Sequence, residues 1–383
     1  MHEISIVQLD ADSAQIGPLI EKLGGHICAV YSKRARRNVF RDSNDKRYVT
    51  SYLPGLARIL CVLLSRLKIV PEYYTYLLQH KAMDLLFAKR VANDKSSIVY
   101  AHCSYLKTIK KAKQKGKIVV TMAGNSEPIR ENRRVLEDYN HFGIKNRYIY
   151  GNTKYESIIK SSILLADRVI SISKVSLATY VNAGYDASSF HLIPLTGTDF
   201  PVKSVASPKG KTKAFITTAY HNFVKGTHRL LLAWQKANIN DIPLIVVGRL
   251  CEDMQEFIEI FGPFNNVIYV GHQRNVREFY NNYDAVGILF SLSEGAGRVT
   301  PEMMSFGFPM IVSPDATCDI VEDGRNGYIV DTMNEEGLIE RLKWFADDWQ
   351  RVYDIRPNVL SSVSSRTIKD FSLDCADFLE NLI

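Results

Sequence analysis

The chain has 383 residues, of which 46% are hydrophobic and 23% are charged, a composition that excludes disordered, collagen-like and low-complexity proteins. This length is sufficient for two domains of ordinary size. The net charge of +7 conceals an asymmetry, because residues 1–200 carry 30 Lys and Arg against 17 Asp and Glu, whereas residues 201–383 carry 18 against 24. We therefore expect the basic first half to face an anionic partner.

The six cysteines are scattered and form neither a Cys-x-x-Cys pair nor a zinc-binding spacing. This distribution predicts reduced, mostly buried thiols and a cytosolic protein. The N-terminus MHEISIVQLD leads directly into a predicted strand, and no run of 18 apolar residues occurs. We expect a cytoplasmic protein, with peripheral binding to the inner face of the plasma membrane as an open alternative.

The first predicted strand, Ile4 to Leu9, is followed by Asp10-Ala11-Asp12. An Asp-x-Asp sequence binds a metal and a sugar diphosphate in some transferases. Here it follows the first strand of an alternating strand–helix pattern, which favours a loop that enters a helix. A short helix from Ala14 to Leu23 and a second strand from Ile27 to Tyr31 complete the first predicted unit.

A basic segment and an apolar segment follow the second strand. Residues 32–47 contain seven cationic side chains, and residues 52–70 are apolar with Arg58, Arg66 and Lys68 spaced along them. A basic, aromatic, amphipathic helix is typical of a membrane interface. A buried helix whose cations extend to water explains the same pattern, so both interpretations stay open. No recognised nucleic-acid-binding module accompanies the charge, and we expect no nucleic acid partner.

Short apolar strands alternate with helical segments along the remaining chain, which predicts parallel, doubly wound sheets in both halves. A stretch rich in Pro, Ser and Lys, residues 201–213, interrupts the pattern and predicts a linker. The predicted strands of this region are Ile98 to His102, Ile118 to Met122, Ala214 to Ala219, Ile242 to Gly248, Val267 to Gly271 and Ala285 to Phe290.

The stretch SEGAGRVTPEMMSFG, residues 293–307, combines two carboxylates with a glycine turn and a helix start. Thr300 is a plausible N-cap, and Pro301 suits the first helical position because its missing N–H is not needed there. The glycines allow the backbone to approach a ligand closely, and the free N–H groups near residues 298–300 favour an anion. Carboxylates are good acceptors for sugar hydroxyls. A phosphate site between Glu294 and Glu302 is the pattern expected for a nucleotide sugar.

This stretch resembles the glutamate-x7-glutamate signature of the retaining glycosyltransferases of family 4, which have the GT-B fold. The similarity continues through GFPMIVSPDATCDIVEDGRNGYIVD, residues 307–331, and includes Lys225-Gly226, which matches the family's K-G. The resemblance implies a GT-B protein, in which two Rossmann-like domains face each other across a cleft and a C-terminal helix crosses back to the first domain. The implied domains are residues 1–200 for the acceptor, 201–368 for the nucleotide sugar and 369–383 for the returning helix.

The resemblance also implies roles for individual residues. The implied catalytic residues are Glu294, Lys225 and His102. The implied donor-binding residues are Glu302, Gly295, Ala296, Gly297, Arg298, Val299, Thr300, His272 and Gln273. For the loop after the strand at 118–122, the resemblance implies that the acceptor is bound by Asn125, Ser126, Glu127 and Arg130. The family needs neither a metal nor a resident cofactor, and its donor substrate is a nucleotide diphosphate sugar.

The chain departs from the family pattern at the position of a diphosphate-binding arginine, where Tyr220 or His221 stands instead. We expect a retaining, metal-independent transfer of a hexose to a hydroxyl of a glycan acceptor, lipid-linked, in the synthesis of a cell-envelope polysaccharide such as O-antigen or capsule. Two alternatives remain. One is a nucleotide-sugar epimerase of the same fold, and the other is a catalytically silent protein that binds a nucleotide sugar.

Overall fold

The computed structural model describes residues 3–9, 15–34, 45–67, 69–70, 74–147, 153–200, 202, 211–363 and 366–383. Within them the chain forms two parallel β-sheets flanked by helices, which confirms the predicted α/β class. The Asp10-Ala11-Asp12 sequence, the middle of the basic segment at 35–44 and most of the predicted linker, at 201 and 203–210, lie outside the described residues.

The first sheet has seven strands in the order β3-β2-β1-β4-β5-β6-β7, and all neighbouring strands run parallel. Its strands are β1 Ile4–Val7, β2 Ile27–Lys33, β3 Tyr48–Ser51, β4 Ile98–Ala101, β5 Ile118–Ala123, β6 Arg168–Ser171 and β7 Phe190–Leu192. The central strands β1 and β4 are buried at every position, which fits their continuous apolar sequences. The helices that connect these strands are α1 Gly17–Leu23, α2 Leu53–Arg66, α3 Tyr74–Asn93, α4 Leu106–Gln114, α5 Pro128–Phe142, α6 Thr153–Leu165 and α7 Lys174–Asn182.

The second sheet has six parallel strands in the order β10-β9-β8-β11-β12-β13. Its strands are β8 Thr212–Thr218, β9 Leu244–Val247, β10 Val267–Gly271, β11 Tyr283–Leu289, β12 Met310–Val312 and β13 Gly327–Ile329. The helices of this half are α8 Thr227–Ala237, α9 Glu252–Phe261, α10 Val276–Tyr280, α11 Val299–Met304, α12 Glu335–Asp347, α13 Gln350–Ser362 and α14 Ile368–Glu380.

Helix α14 returns to the first sheet, as the predicted fold class requires. Phe371, Cys375 and Leu379 are buried in the same apolar cluster as residues of β1 and α1. The hydroxyl of Ser372 donates to the carbonyl of Gln15 at 2.8 Å, just before α1. The helix begins at Ile368, with Thr367 as its N-cap.

Helix α5 of the first half packs against the second half. Val135 and Tyr139 belong to the apolar cluster of the second sheet, and the hydroxyl of Tyr139 donates to Asp253 at 2.6 Å. The carboxylate of Asp138 accepts hydrogen bonds from Arg229 and from His228. Burial opposes ionisation of Asp138, but these bonds hold its pKa at about 2. A single helix therefore fixes one side of the contact between the two halves.

Two further expectations can be compared with the structure. All six cysteines are free thiols, and four of them are buried, as their apolar contexts predicted. Among the described residues, no helix is both long and apolar enough to cross a membrane.

Candidate functional site

The site is built at the carboxyl edge of the second sheet, where the loops that follow its parallel strands meet. The loop after β8 contains Lys225, and the loop after β11 contains Glu294. The side-chain nitrogen of Lys225 lies 2.6 Å from Oε1 of Glu294, and the hydroxyl of Ser291 donates to the same oxygen at 2.7 Å. Both charged side chains are largely withdrawn from solvent, with 28% and 12% of their surfaces exposed. Two residues that were predicted from separate motifs, Lys225 and Glu294, thus form one ion pair.

Local backbone geometry explains why Lys225 stands at this point. Residues Phe223–Lys225 form a single 3-10 turn, and the side chain of Asn222 caps it by accepting the N–H of Lys225 at 3.3 Å. Gly226 follows with φ +63°, and a Cβ added there would lie 2.0 Å from the carbonyl oxygen of Phe290. Only glycine allows this approach, which brings the Lys225 turn directly against the loop of Glu294.

Glu302 lies on α11, one turn beyond the same glycine loop. Burial raises the pKa of this carboxyl group, and the guanidinium of Arg298, 4.0 Å away, opposes the rise. The helix begins at Val299 with Arg298 in the N-cap position, so the predictions that Thr300 caps it and that Pro301 takes the first helical position are wrong. The hydroxyl of Thr300 instead donates to the carbonyl of Ala316 at 2.7 Å and ties the helix start to the loop after β12.

The glycine loop forms the contact between the two halves. A Cβ on Gly295 would lie 1.9 Å from the carbonyl oxygen of Gly124, which follows β5. The hydroxyl of Ser173 donates to the carbonyl of Gly295 at 2.5 Å, and the hydroxyl of Ser126 donates to the carbonyl of Glu294 at 3.2 Å. Ala296 is buried beside them. Ser126, predicted to bind the acceptor, is therefore within hydrogen-bond distance of the predicted catalytic loop.

A second polar contact joins the halves beside the first. The guanidinium of Arg130 donates two parallel hydrogen bonds to Asp315, at 2.8 and 3.0 Å. Arg134 also reaches Asp315, at 3.4 Å, and donates to the hydroxyl of Thr332 at 2.6 Å. Asp315 is only 2% exposed in its side chain, so the pair is partly desolvated. In this structure Arg130 holds the domains together, and acceptor binding by Arg130 stays a prediction.

The remaining acceptor candidates differ in exposure. Glu127 is buried, and its carboxylate caps α5 by accepting the N–H of Arg130 at 2.9 Å. Asn125 is exposed, and its carbonyl accepts the hydroxyl of Ser176 at 2.8 Å. The side chain of Asn125 is thus better placed to meet a substrate than that of Glu127.

His102 follows β4 at the carboxyl edge of the first sheet. Its Nδ1 accepts the backbone N–H of Ser104 at 3.1 Å, so the neutral ring carries its proton on Nε2. Burial lowers the pKa of His102 to about 4, and the ring is a neutral hydrogen-bond donor at pH 7. His80 on α3 packs against it with ring centroids 4.8 Å apart, a contact that sequence reasoning missed.

The departure from the family pattern at residues 220 and 221 has a clear structural consequence. His221 is fully buried, with Nδ1 2.8 Å from the hydroxyl of Thr227 and Nε2 2.9 Å from the carbonyl of Val247. Burial lowers its pKa to about 4, so His221 cannot supply the missing positive charge near pH 7. Tyr220 is exposed, and the guanidinium carbon of Arg249, in the loop after β9, lies 5.7 Å from the centre of its ring.

His272 and Gln273 directly follow β10, the edge strand of the second sheet. His272 is exposed, and the amide nitrogen of Gln273 donates to the carbonyl of Val270 at 2.9 Å. Their backbone groups therefore lie at the same carboxyl edge as Lys225 and Glu294. Binding of a nucleotide base by these residues stays a prediction.

Residues 201–359 match the family model described as Glycosyl transferases group 1. A search of curated proteins finds no significant match.

Among solved structures, HepE of Anabaena in complex with UDP is 16% identical, with a TM-score of 0.63 and complete coverage of both chains. Sucrose-phosphate synthase from Thermosynechococcus elongatus is also 16% identical, with a TM-score of 0.67 and coverage of 100% of this chain and 99% of that one. The lipopolysaccharide outer core galactosyltransferase WaaB is 17% identical, with a TM-score of 0.60 over 99% of this chain and 100% of that one. The chain therefore has the GT-B fold, and its second half matches the glycosyl transferases group 1 model.

Proposed function

We propose that the protein is a retaining, metal-independent glycosyltransferase that moves a hexose from a nucleotide diphosphate sugar to a hydroxyl of a glycan acceptor. The observation that carries the proposal is the 2.6 Å pair of Lys225 and Glu294 at the carboxyl edge of a sheet whose sequence matches a glycosyltransferase model. A cation for a phosphate and a carboxylate for sugar hydroxyls stand side by side at the place where such folds bind ligands.

The Lys225 ammonium has three N–H donors, so it can keep Glu294 and bind a diphosphate oxygen at the same time. As the bond between the anomeric carbon and the phosphate oxygen breaks, negative charge grows on the leaving diphosphate and Lys225 stabilises it. The acceptor oxygen bonds to the anomeric carbon on the same face, and its proton passes to the departing phosphate oxygen. Glu294 holds sugar hydroxyls near the reacting carbon, and Glu302 holds the ribose.

A diphosphate also needs a second cation, and we assign this role to Arg249. The backbone N–H of His221 donates to the carbonyl of Arg249 at 2.9 Å, so the loops after β8 and β9 are neighbours. The Arg249 guanidinium lies over Tyr220, one of the two residues that could stand where the family pattern has an arginine. An arginine from the adjacent strand end would compensate for the loss of charge.

Two observations support the proposed donor and acceptor. HepE is described in complex with UDP-glucose, which makes a UDP-hexose the first donor to test. The acceptor we propose is a lipid-linked glycan at the inner face of the plasma membrane, in the synthesis of a cell-envelope polysaccharide. The basic balance of residues 1–200 supports an anionic, pyrophosphate-bearing acceptor.

A thermal-shift panel of UDP, GDP and ADP sugars tests the donor assignment. One nucleotide should stabilise the protein by about 2.7 kcal/mol at a hundredfold excess over its dissociation constant, and Arg249→Ala should weaken that shift. Stabilisation that is unchanged in EDTA supports metal independence. Binding without turnover would favour a silent binding protein, and the appearance of a second, epimeric nucleotide sugar would favour an epimerase.

A further inference from the structure

Helix α2 exposes a continuous apolar face to solvent. Its exposed side chains, together with those of the residues just before and after it, are between 51% and 69% accessible, namely Tyr52, Leu53, Leu56, Ile59, Leu60, Leu63, Leu67 and Ile69. At 3.6 residues per turn, those from Tyr52 to Leu67 fall within an arc of about 120°. We call these eight residues the α2 face. A monomeric protein rarely leaves such a contiguous surface uncovered.

The α2 face continues onto the neighbouring helix. Leu53, Leu56 and Leu60 form one wall of a shallow apolar groove, and Leu85 and Leu86 of α3 form the other. Leu85 is 52% exposed and Leu78, two turns earlier on α3, is 40% exposed. The opposite side of α2 is anchored, because Pro54 and Cys61 are buried. The helix is therefore packed on its inner side and uncovered on its outer side.

The charged residues in the sequence of this segment have one sign. Residues 53–70 contain Arg58, Arg66 and Lys68 and no Asp or Glu. The Arg34 guanidinium lies 5.1 Å from the centre of the Tyr52 ring, so a cation and an aromatic ring meet where the helix begins. An exposed apolar face with Arg34, Arg66 and a tyrosine beside it matches the boundary between lipid tails and anionic headgroups.

The position of the α2 face relates it to the proposed site. Helix α2 starts two residues after β3, at the carboxyl edge of the first sheet, which is the edge that also carries His102 and Asn125. A lipid-bound acceptor held in a bilayer against α2 would thus reach the cleft from the same edge.

We infer that the α2 face inserts into the headgroup–acyl boundary of an anionic lipid bilayer. This inference rests on the proposed function for its purpose, namely access to a lipid-linked acceptor, but its physical basis is independent of catalysis. The apolar side chains would supply the insertion free energy, and the cations would supply the preference for anionic lipid.

Vesicle sedimentation with the full chain tests the inference. Wild-type protein should sediment with vesicles of phosphatidylcholine and phosphatidylglycerol, and much less with phosphatidylcholine alone or at high salt. The triple variant Leu56→Gln/Leu60→Gln/Leu63→Gln should partition roughly a hundredfold less, since each position loses a large part of a leucine's transfer free energy. The matched control Leu164→Gln/Ile260→Gln alters two equally exposed side chains elsewhere, 61% and 58% accessible, and should bind as wild type.

Three results would overturn the inference: no sedimentation of wild type with anionic vesicles, equal binding by the triple variant, or a lipid-free dimer that the triple variant dissociates. The last result would assign the α2 face to a second copy of the chain. Turnover of the donor measured on the same preparations separates this inference from the proposed function. In the wild-type protein, turnover without vesicle binding contradicts only the membrane surface, and vesicle binding without turnover contradicts only the enzyme.

Discussion

The ammonium of Lys225 and the carboxylate of Glu294 form an ion pair at 2.6 Å although 69 residues separate them in the chain. Each group neutralises the charge of the other. A bound donor would share the ammonium between Glu294 and its own diphosphate. In the proposed function, the pair would link the part of the site that binds the sugar to the part that stabilises the leaving group.

Replacing Lys225 by alanine should lower kcat by about a hundredfold while changing KM for the donor only a few-fold. The charge that Lys225 stabilises grows in the transition state, so its loss affects turnover more than binding. Steady-state kinetics measures both parameters. Lys236→Ala is the control, since Lys236 pairs with Glu335 and is 59% exposed. Wild-type turnover by Lys225→Ala would show that Lys225 has no catalytic role.

Glu294 and Glu302 should differ in their effect on the free nucleoside diphosphate. We expect Glu302→Ala to weaken its binding by about tenfold to a hundredfold, because a hydrogen bond to a charged group contributes roughly 1.5–3 kcal/mol. Glu294→Ala should leave binding equal or tighter, since it frees Lys225 for the phosphates. Isothermal titration measures both dissociation constants, and an equal loss in the two variants would refute this division of roles.

Gly295→Ala should separate the two halves of the protein. The added Cβ would meet the carbonyl of Gly124 at 1.9 Å, and the domains can relieve that clash by moving apart. Small-angle scattering should show a larger radius of gyration. Gly124→Ala is the matched control, because it adds a Cβ on the other side of the same contact with no atom within 4 Å. An unchanged radius in Gly295→Ala would contradict the close approach.

Arg130 and Asp315 should be energetically coupled. A double-mutant cycle with Arg130→Ala and Asp315→Ala is expected to give an interaction free energy of about 1–3 kcal/mol in denaturant unfolding, because either single variant leaves a partly buried charge without its bidentate partner. A coupling near zero, together with a raised KM for the acceptor in Arg130→Ala alone, would show that Arg130 binds the acceptor and does not stabilise the domain contact.

The pH dependence of stability should carry the signature of His102. Its folded pKa of about 4 lies below the unfolded value of about 6.5, so the unfolded chain binds more protons between these values. The free energy of unfolding should fall as pH drops through this window, by at most about 3 kcal/mol for this group. His102→Asn, which keeps an acceptor for the N–H of Ser104, should reduce that fall. An unchanged slope would show that the pKa of His102 is not lowered in the folded protein.

The sequence predicted the second half more completely than the first for physical reasons. The loop of residues 293–307 is determined by local features, namely a buried strand, glycines and a proline at the helix start. The cap was misassigned because the hydroxyl of Thr300 finds a better acceptor in Ala316, 16 residues away. The ion pair of Arg130 with Asp315 spans 185 residues, and no local pattern encodes such a contact.

The exposure of one side of α2 also could not be predicted from the local sequence. The pattern of residues 52–70 indicated an amphipathic helix but fitted a buried and an uncovered helix equally well. Only the fold determines that Pro54 and Cys61 face inward while the leucines of the α2 face remain in solvent.

The stereochemistry of donor hydrolysis tests the central claim most directly. The donor identified by thermal shift, with its hexose α-linked to the diphosphate, would be incubated with enzyme, with water as the acceptor, and the first released sugar would be followed by proton NMR before mutarotation. Retaining transfer through the Lys225 and Glu294 pair predicts that the α-anomer appears first, and that Lys225→Ala releases it far more slowly. Release of the β-anomer first, or no release with any bound donor, would contradict it.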